Sequence, residues 1–149
     1  MDGVWTATVH GTPAPKGSKR HVGNGVMIEM SKRVKPYLDS IVDTCRDAPR
    51  YDRGTPLEVS LVFAFQRPKG HFGTGRNSGV LRESKVMAKH TMRPDVDKLC
   101  RSVLDGLTMG GLIWDDSQVV RLCATKTWAP LDIGAYTKIM VGRLDTSMS

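Results

Sequence analysis

Four aspartates flank one short predicted helix, and their grouping constrains this chain more than any other feature of the sequence. Asp95 and Asp97 stand at the start of the helix, and Asp115 and Asp116 follow shortly after its end. Carboxylates held close together repel one another, so a fold that gathers them generally neutralises them with a divalent cation. Mg²⁺ prefers oxygen ligands of this kind, and the sequence therefore predicts a metal-dependent active site.

The helix predicted from Asp95 to about Leu107 carries its charges on one side. Side chains four residues apart share a helix face, so Asp97, Arg101 and Asp105 line one side of it. The apolar side chains fall elsewhere and are expected to be buried: Leu99, Val103, Leu104 and Leu107. Arg101 is then placed to stabilise negative charge on a phosphate at the acidic cluster.

Ordinary helix capping is the alternative explanation for these acids. Carboxylates at Asp95 and Asp97 would favour the positive end of the helix dipole, and Asp105 has Arg101 one turn away as a partner. The later acidic pair would then form a turn leading to a helix cap at Ser117. Two separate acidic pairs in a protein of formal net charge +7 are harder to explain by capping alone, which favours metal binding.

The charge balance indicates polyanionic partners. The net charge of +7 and the sequence pI of about 9.6 favour nucleic acid first and an acidic membrane surface second. No stretch of roughly 18 apolar residues is present, so no membrane span is expected. The N-terminal residues lack the charged start and apolar stretch of a signal peptide, and we expect a cytoplasmic protein.

The cysteines and histidines argue against disulfide and zinc chemistry. The three cysteines, Cys45, Cys100 and Cys123, are far apart and lie beside core-like residues. We expect them to be reduced, buried thiols. The four histidines are scattered along the chain away from the acidic cluster, which argues against a zinc site.

The hydrophobic pattern predicts a single α+β domain over residues 1–149, with a mixed β-sheet of about four strands and two main helices packed on it. Leu57 to Phe65 alternates most clearly and is partly apolar on both faces, which predicts a central strand. A helix capped by Ser31 is expected to run to about Arg46, with Pro36 tolerated in or near its first turn. Further strands are predicted at Val4–Val9, Val119–Trp128 and Ala135–Leu144.

Two irregular segments concentrate positive charge. Gly11 to His21 carries three cations that are expected to grip DNA: Lys16, Lys19 and Arg20. Residues 67–92, here named the basic arm, hold more cations, of which four are expected to contact DNA: Arg76, Arg82, Lys85 and Lys89. The basic arm is predicted to be a flexible loop that closes on a phosphate backbone, and the alternative is a solvated, variable insertion. Residues 145–149 are expected to be a frayed tail.

Several short motifs follow one another between Arg93 and Trp128. They read Asp95-Val96-Asp97-Lys98-Leu99, then Asp105-Gly106-Leu107, then Asp115-Asp116-Ser117-Gln118-Val119. This order resembles the RusA family of Holliday junction resolvases, crossover-junction endodeoxyribonucleases common in phages and prophages. The family pattern is roughly Asp-x-Asp-Asn-Leu-x-Lys, then Asp-Ala-Leu, then Asp-Asp-x-Gln-Val. The early segment Gly11-Thr12-Pro13-Ala14-Pro15-Lys16-Gly17 is also similar to a Pro-Lys-Gly loop of many members.

The resemblance implies roles for individual residues. Asp95, Asp97 and Asp116 match the family's essential metal-binding acids, and Asp115 matches the adjacent acid of the pair. Arg101 falls where the family usually has a lysine that assists catalysis. Arginine keeps the charge of that lysine but neither its geometry nor its ability to donate a proton, so Arg101 is expected to act by electrostatic stabilisation.

Two further basic positions qualify the resemblance. Lys98 replaces the asparagine that is usual in the family, which alters hydrogen bonding beside the metal ligands. Lys126 aligns with a basic residue of many members and is expected to face phosphate. The alternative for Lys126 is a solvated lysine on a strand.

Together, the residues and the resemblance predict a Mg²⁺-dependent, structure-selective DNA endonuclease, with Mn²⁺ as a substitute ion. It is expected to resolve four-way junctions by paired symmetric cuts, and the resemblance implies a homodimer with twofold symmetry. The expected setting is the cytoplasm of a bacterium or of a phage-infected host. The alternatives are a catalytically weak or inactive junction-binding protein and a metal nuclease acting on other branched DNA. A protein-interaction scaffold is the least favoured reading.

Overall fold

The described part of the chain forms a four-stranded β-sheet with two α-helices. The computed structural model describes residues 3–17 and 24–144, with the backbone alone for residues 24–31. The elements are β1 (Trp5–His10), α1 (Asn24–Thr44), β2 (Leu57–Phe65), α2 (Val96–Met109), β3 (Val119–Trp128) and β4 (Tyr136–Arg143). This arrangement confirms the predicted small α+β domain. No helix within these ranges is long and apolar enough to cross a membrane.

The sheet is mixed and has the strand order β1-β4-β2-β3. β2 pairs in parallel with β3 and antiparallel with β4, and β1 pairs antiparallel with β4. The central position of β2 agrees with its apolar residues on both faces. Because β2 and β3 are parallel, the chain between them crosses from one end of the sheet to the other. That crossover contains the basic arm and α2.

One face of the sheet forms the hydrophobic core with both helices. Leu61 and Phe63 of β2 pack in one buried cluster with Ile41 of α1 and Leu99 of α2. The two helices approach closely at Gly106, where an added Cβ would lie 2.6 Å from Cγ2 of Ile41. A larger side chain at this position would push the helices apart, so glycine permits the contact that sets α2 against the core.

The first helix differs from its prediction. It begins at Asn24 and ends at Thr44, so Ser31 lies inside it and does not cap its start. Pro36 is therefore in the helix interior, not in its first turn. Proline removes one backbone hydrogen bond there, but the buried side chains of Tyr37 and Ile41 hold the next turns against the core. Tertiary packing outweighs the local preference.

The cysteine prediction holds for two of three residues. Cys45 and Cys100 are free and buried, whereas Cys123 is free but exposed. Cys123 lies on β3 at the edge of the sheet, opposite Ser60 in the register. Its side chain faces away from the helices, so the alternation of the strand places this small apolar residue in solvent.

Candidate active site

The first acidic pair lies at the start of α2 and is open to solvent. Asp95 occupies the N-cap position with extended backbone, but its carboxylate accepts no capping hydrogen bond. One carboxylate oxygen of Asp95 lies instead 3.6 Å from Nζ of Lys98. Asp97 is exposed in the first turn. Capping by the Asp95 side chain, which the sequence left open, is therefore not what the structure shows.

Lys126 fastens the segment that leads into Asp95. Its ammonium group donates to the carbonyl oxygen of Met92 at 2.6 Å and to that of Pro94 at 2.9 Å. Lys126 is half-buried on β3. It is therefore not a fully solvated strand lysine, because its ammonium group is bonded to backbone carbonyls of this chain. Its predicted phosphate contact stays a prediction.

The second acidic pair belongs to a short 3₁₀ turn between α2 and β3. Asp115 caps that turn, and its carboxylate accepts a hydrogen bond from the backbone N–H of Ser117 at 3.0 Å. Hydrogen bonding by the Ser117 side chain and then by its backbone N–H lowers the pKa of Asp115. The turn predicted at this place is present, with Asp115 rather than Ser117 as its cap.

Gln118 holds this turn in place and was missed as a functional position by sequence reasoning. Its amide oxygen accepts from the backbone N–H groups of Trp114 at 2.7 Å and Asp115 at 3.2 Å. Its amide nitrogen donates to the carbonyl oxygens of Asp52 at 2.9 Å and Thr55 at 3.1 Å. The one available signal was its place in the quoted motif beside the acids. Because Gln118 is buried and bonded on both sides, it fixes the backbone that carries both acids.

The carboxylate of Asp116 lies at the C-terminal end of α2. Its carboxylate accepts a hydrogen bond from the hydroxyl of Thr108 at 3.0 Å, and Thr108 lies in the last turn of α2. Asp116 is itself exposed to solvent. Its carboxylate is therefore positioned by the C-terminal turn of α2, whereas Asp95 and Asp97 stand at the N-terminal turn.

The two acidic pairs are too far apart to share a metal ion within one chain. Eleven residues separate Asp97 from Thr108, which is about 16 Å along a helix axis. Across the described residues, no group of three or more histidine, cysteine, aspartate or glutamate side chains is close enough to hold a metal ion. One chain thus presents two separate, exposed pairs of carboxylates, and not the single cluster of four that the sequence suggested.

Arg101 and Asp105 lie between the two pairs on the same side of α2. Asp105 does not use Arg101 as its ion-pair partner; its carboxylate pairs with the ammonium group of Lys16. The backbone N–H of Lys16 also donates to the carbonyl oxygen of Lys98 at 3.2 Å. The N-terminal segment is thereby fastened along α2, and Arg101 stays exposed one turn from Asp97.

The predicted DNA contacts of the basic arm are at its surface. Arg76, Arg82, Lys85 and Lys89 are all exposed. Arg82 donates through Nε to the carbonyl oxygen of Phe72 at 2.8 Å, which braces the arm internally. The flexibility of the arm remains a prediction. Lys19 and Arg20, and the tail at 145–149, lie outside the described residues.

Two histidines anchor the base of the basic arm to the sheet. The His90 ring stacks on Trp128 with centroids 4.2 Å apart, and His71 meets Trp128 edge-on at 5.0 Å. Nδ1 of His90 accepts a hydrogen bond from the backbone N–H of Met92 at 3.3 Å. Burial and then the charge of Lys126 lower the pKa of His90. Sequence reasoning did not find this cluster, since the histidines are distant in sequence and show no motif.

Comparison with known proteins gives one finding and one negative result. The sequence matches the family model described as Endodeoxyribonuclease RusA over residues 10–139. That range includes both acidic pairs, α2, the basic arm and the segment carrying Lys16. A search of curated proteins returns no match.

Proposed function

The chain belongs to the RusA family of endodeoxyribonucleases, which implies Holliday junction resolution in general, and we propose from this premise a specific activity. The protein is proposed to be a Mg²⁺-dependent endonuclease that cuts four-way DNA junctions by paired, symmetric phosphodiester hydrolysis. Mn²⁺ is proposed as a substitute ion, and the cytoplasm of a bacterium or of a phage-infected host as the setting. The observation that carries the proposal is two exposed pairs of aspartates at the ends of one helix in a family of DNA nucleases.

The residues proposed to hold the cation are Asp95, Asp97 and Asp116, with Asp115 beside them. Their chemistry fits, because Mg²⁺ takes carboxylate oxygens and keeps several waters. When bound, such a cation lowers the pKa of a coordinated water and stabilises charge on a leaving oxygen. Their placement in one chain does not fit, because the pairs stand at opposite ends of α2. A site that combines all three acids therefore needs more than one chain.

We propose that a homodimer completes the site. A twofold axis crossing α2 near its middle would place the N-terminal end of one copy beside the C-terminal end of the other. Asp95 and Asp97 of one copy would then face Asp116 of its partner, twice in the dimer. Two identical sites of this kind suit a reaction that makes two symmetric cuts.

The remaining residues are proposed to act on the DNA. Arg101, exposed on the same side of α2 as Asp97, stabilises negative charge on the phosphate. Lys16, Lys19 and Arg20 are proposed to contact the backbone, as are four cations of the basic arm: Arg76, Arg82, Lys85 and Lys89. For Lys16, this contact would compete with its ion pair to Asp105.

One contact favours a second candidate, a junction-binding protein with weak or no cleavage. The ammonium group of Lys98, which replaces the family's usual asparagine, lies 3.6 Å from the Asp95 carboxylate. A cation at this position reduces the negative charge available to a metal ion. If this effect dominates, Lys98→Asn should raise the cleavage rate and lower the Mg²⁺ concentration needed for it.

The test is cleavage of a synthetic four-way junction, in Mg²⁺ and in EDTA, beside a linear duplex of the same sequence. We expect paired symmetric nicks that require Mg²⁺ and spare the duplex. A forked DNA at equal concentration tests for a nuclease that acts on other branched DNA. Such an enzyme would cut the fork at least as fast as the four-way junction. Tight junction binding without nicking would support the second candidate instead.

A further inference from the structure

A groove of about 510 Å³ opens beside the 3₁₀ turn. Six of its lining residues matter here: Arg53, Pro56, Trp114, Asp115, Ser117 and Val120. None of the cations proposed above to grip the phosphate backbone lines it. Apart from Asp115, which is proposed to lie beside the metal ligands, the groove is therefore a surface that the proposed catalytic and backbone contacts leave unused.

Trp114 contributes a large, exposed aromatic side chain to this surface. Its side chain is 61 % exposed, although it follows directly on the buried Leu112 and Ile113. Its backbone is fixed, because its N–H donates to the amide oxygen of Gln118 at 2.7 Å. A large aromatic ring is thus held at a defined place and left open to solvent. Such an arrangement is costly in water and suits a ring that stacks on a ligand.

Arg53 adds a positive charge to the same surface. Its guanidinium carbon lies 5.4 Å from the centroid of the Trp114 ring, within the range of a cation–π contact. The side chain is itself exposed, so its donors remain accessible to a phosphate. An open aromatic ring beside a cation is the combination by which proteins bind single-stranded nucleic acid, with the base stacked and the phosphate paired.

We propose that this groove binds an unpaired base of the DNA substrate, which stacks on Trp114 while Arg53 contacts an adjacent phosphate. The occupant follows from charge complementarity, since Arg53 favours an anion, and from the position of Trp114 directly before Asp115 and Asp116. The inference rests on the proposed function for its choice of DNA as the ligand. It adds a base-recognition site to the carboxylates and backbone contacts proposed above.

The test measures binding in EDTA, so that it does not depend on cleavage. The probes are a fluorescein-labelled 20-mer of thymidine and a labelled duplex of the same length. Their affinities for the full chain are measured by fluorescence anisotropy. We expect Trp114→Ala to weaken binding of the thymidine 20-mer about 5- to 150-fold, the range for losing one stacked base. Duplex binding should change less than twofold, and Trp114→Phe should restore most of the affinity.

Two further variants isolate the contributions. Leu131→Ala, at an apolar side chain that is 62 % exposed in the turn after β3, controls for loss of exposed apolar surface and should leave both affinities unchanged. Arg53→Gln should reduce the slope of log affinity against log salt concentration for single-strand binding. The reduction should equal the loss of about one phosphate contact. Tryptophan emission should be quenched by the thymidine 20-mer in the wild-type protein and unquenched in Trp114→Phe, since Trp5 and Trp128 are half-buried.

The outcomes separate this inference from the proposed function. Equal loss of single-strand and duplex binding in Trp114→Ala, unchanged single-strand binding, or no single-strand binding by the wild type would each overturn it. Dissociation of a wild-type dimer by Trp114→Ala in sedimentation analysis would also overturn it and assign the groove to a second copy. Loss of single-strand affinity alone upholds the inference even if the wild-type protein cuts no junction.

Discussion

Lys126 on β3 donates a hydrogen bond through its ammonium group to the carbonyl oxygen of Pro94, at 2.9 Å, immediately before Asp95. A second bond to the carbonyl of Met92 at 2.6 Å holds the same segment. The sheet thereby positions a proposed metal ligand that lies outside it. Lys126, whose predicted phosphate contact stays a prediction, is thus bonded to the backbone that leads into a proposed metal ligand.

We predict that Lys126→Met impairs metal use more than DNA binding. Loss of the two backbone contacts should lower the cleavage rate about 10- to 100-fold and raise the Mg²⁺ concentration for half-maximal rate, as for other residues that support metal ligands. Junction affinity in EDTA should change less than threefold, because a single surface charge ordinarily contributes little free energy. Lys138→Met, at an exposed lysine of β4, is the matched control. A large loss of junction affinity with an unchanged Mg²⁺ dependence would show that Lys126 contacts phosphate.

Asp97→Asn is expected to abolish junction cleavage and to leave junction binding intact or stronger. The substitution removes one proposed metal ligand and one negative charge that repels DNA phosphates. Nicking assays and gel shifts on the same junction measure the two effects separately. Cleavage at the wild-type rate would show that this carboxylate is not part of the site.

The proposed dimeric site predicts complementation between two inactive variants. Asp97→Asn and Asp116→Asn should each be inactive alone, because each damages both sites of its homodimer. A heterodimer purified through two different tags should regain one intact site, which is about half the number in the wild-type dimer. It should therefore nick one strand of the junction and not make the paired cut. If the acids of one chain formed a site by themselves, this heterodimer would stay inactive.

A second heterodimer provides the control. One subunit is wild type and the other carries both Asp97→Asn and Asp116→Asn. Shared sites predict an inactive heterodimer, since each site then lacks one acid. Sites within single chains predict that one site survives. The two heterodimers therefore give opposite results under the two arrangements.

Gln118→Leu is expected to destabilise the protein by about 2–4 kcal/mol, because a buried side chain loses four hydrogen bonds to part-buried backbone groups on its two sides. The free energy of unfolding from urea denaturation measures the effect. Gln118→Glu keeps the acceptor for Trp114 and Asp115 but loses the two donated bonds. Gln66→Leu, at an exposed glutamine after β2, should cost less than about 0.5 kcal/mol. A Gln118→Leu protein as stable as wild type would contradict the bracing role.

The lowered pKa of His90 predicts that the folded protein loses stability on acidification. Its pKa is lowered in the folded protein, so the unfolded chain binds more protons as the pH falls through the ordinary histidine range near 6.5. Stability should fall as the pH drops below about 6.5, by no more than about 1.4 kcal/mol per pH unit from this group. The groups facing it are Trp128, Phe65 and the charge of Lys126. His90→Phe should reduce the slope of unfolding free energy between pH 7.5 and 5.5, and an unchanged slope would assign the effect to other groups.

Strands were predictable because their signal is local. The bounds of β2 and β3 agree with the sequence, since alternation and branched side chains mark both strands within a few residues. The helix α1 was misplaced at its start because Pro36 suggested a first turn. The helix continues through the proline, and the burial of Tyr37 and Ile41 against the core stabilises the turns that follow it.

The sequence by itself determined the family, the four-stranded α+β design and the position of the acids at the two ends of a helix. These features rest on motifs and periodicities that neighbouring residues define. Only the tertiary structure decided that Lys16 pairs with Asp105, that Lys126 fastens the segment before Asp95 and that Gln118 holds the acidic turn. It also placed the Asp116 carboxylate at Thr108 in the last turn of α2, far from Asp97, because the path of the chain after a helix depends on contacts between residues distant in the sequence.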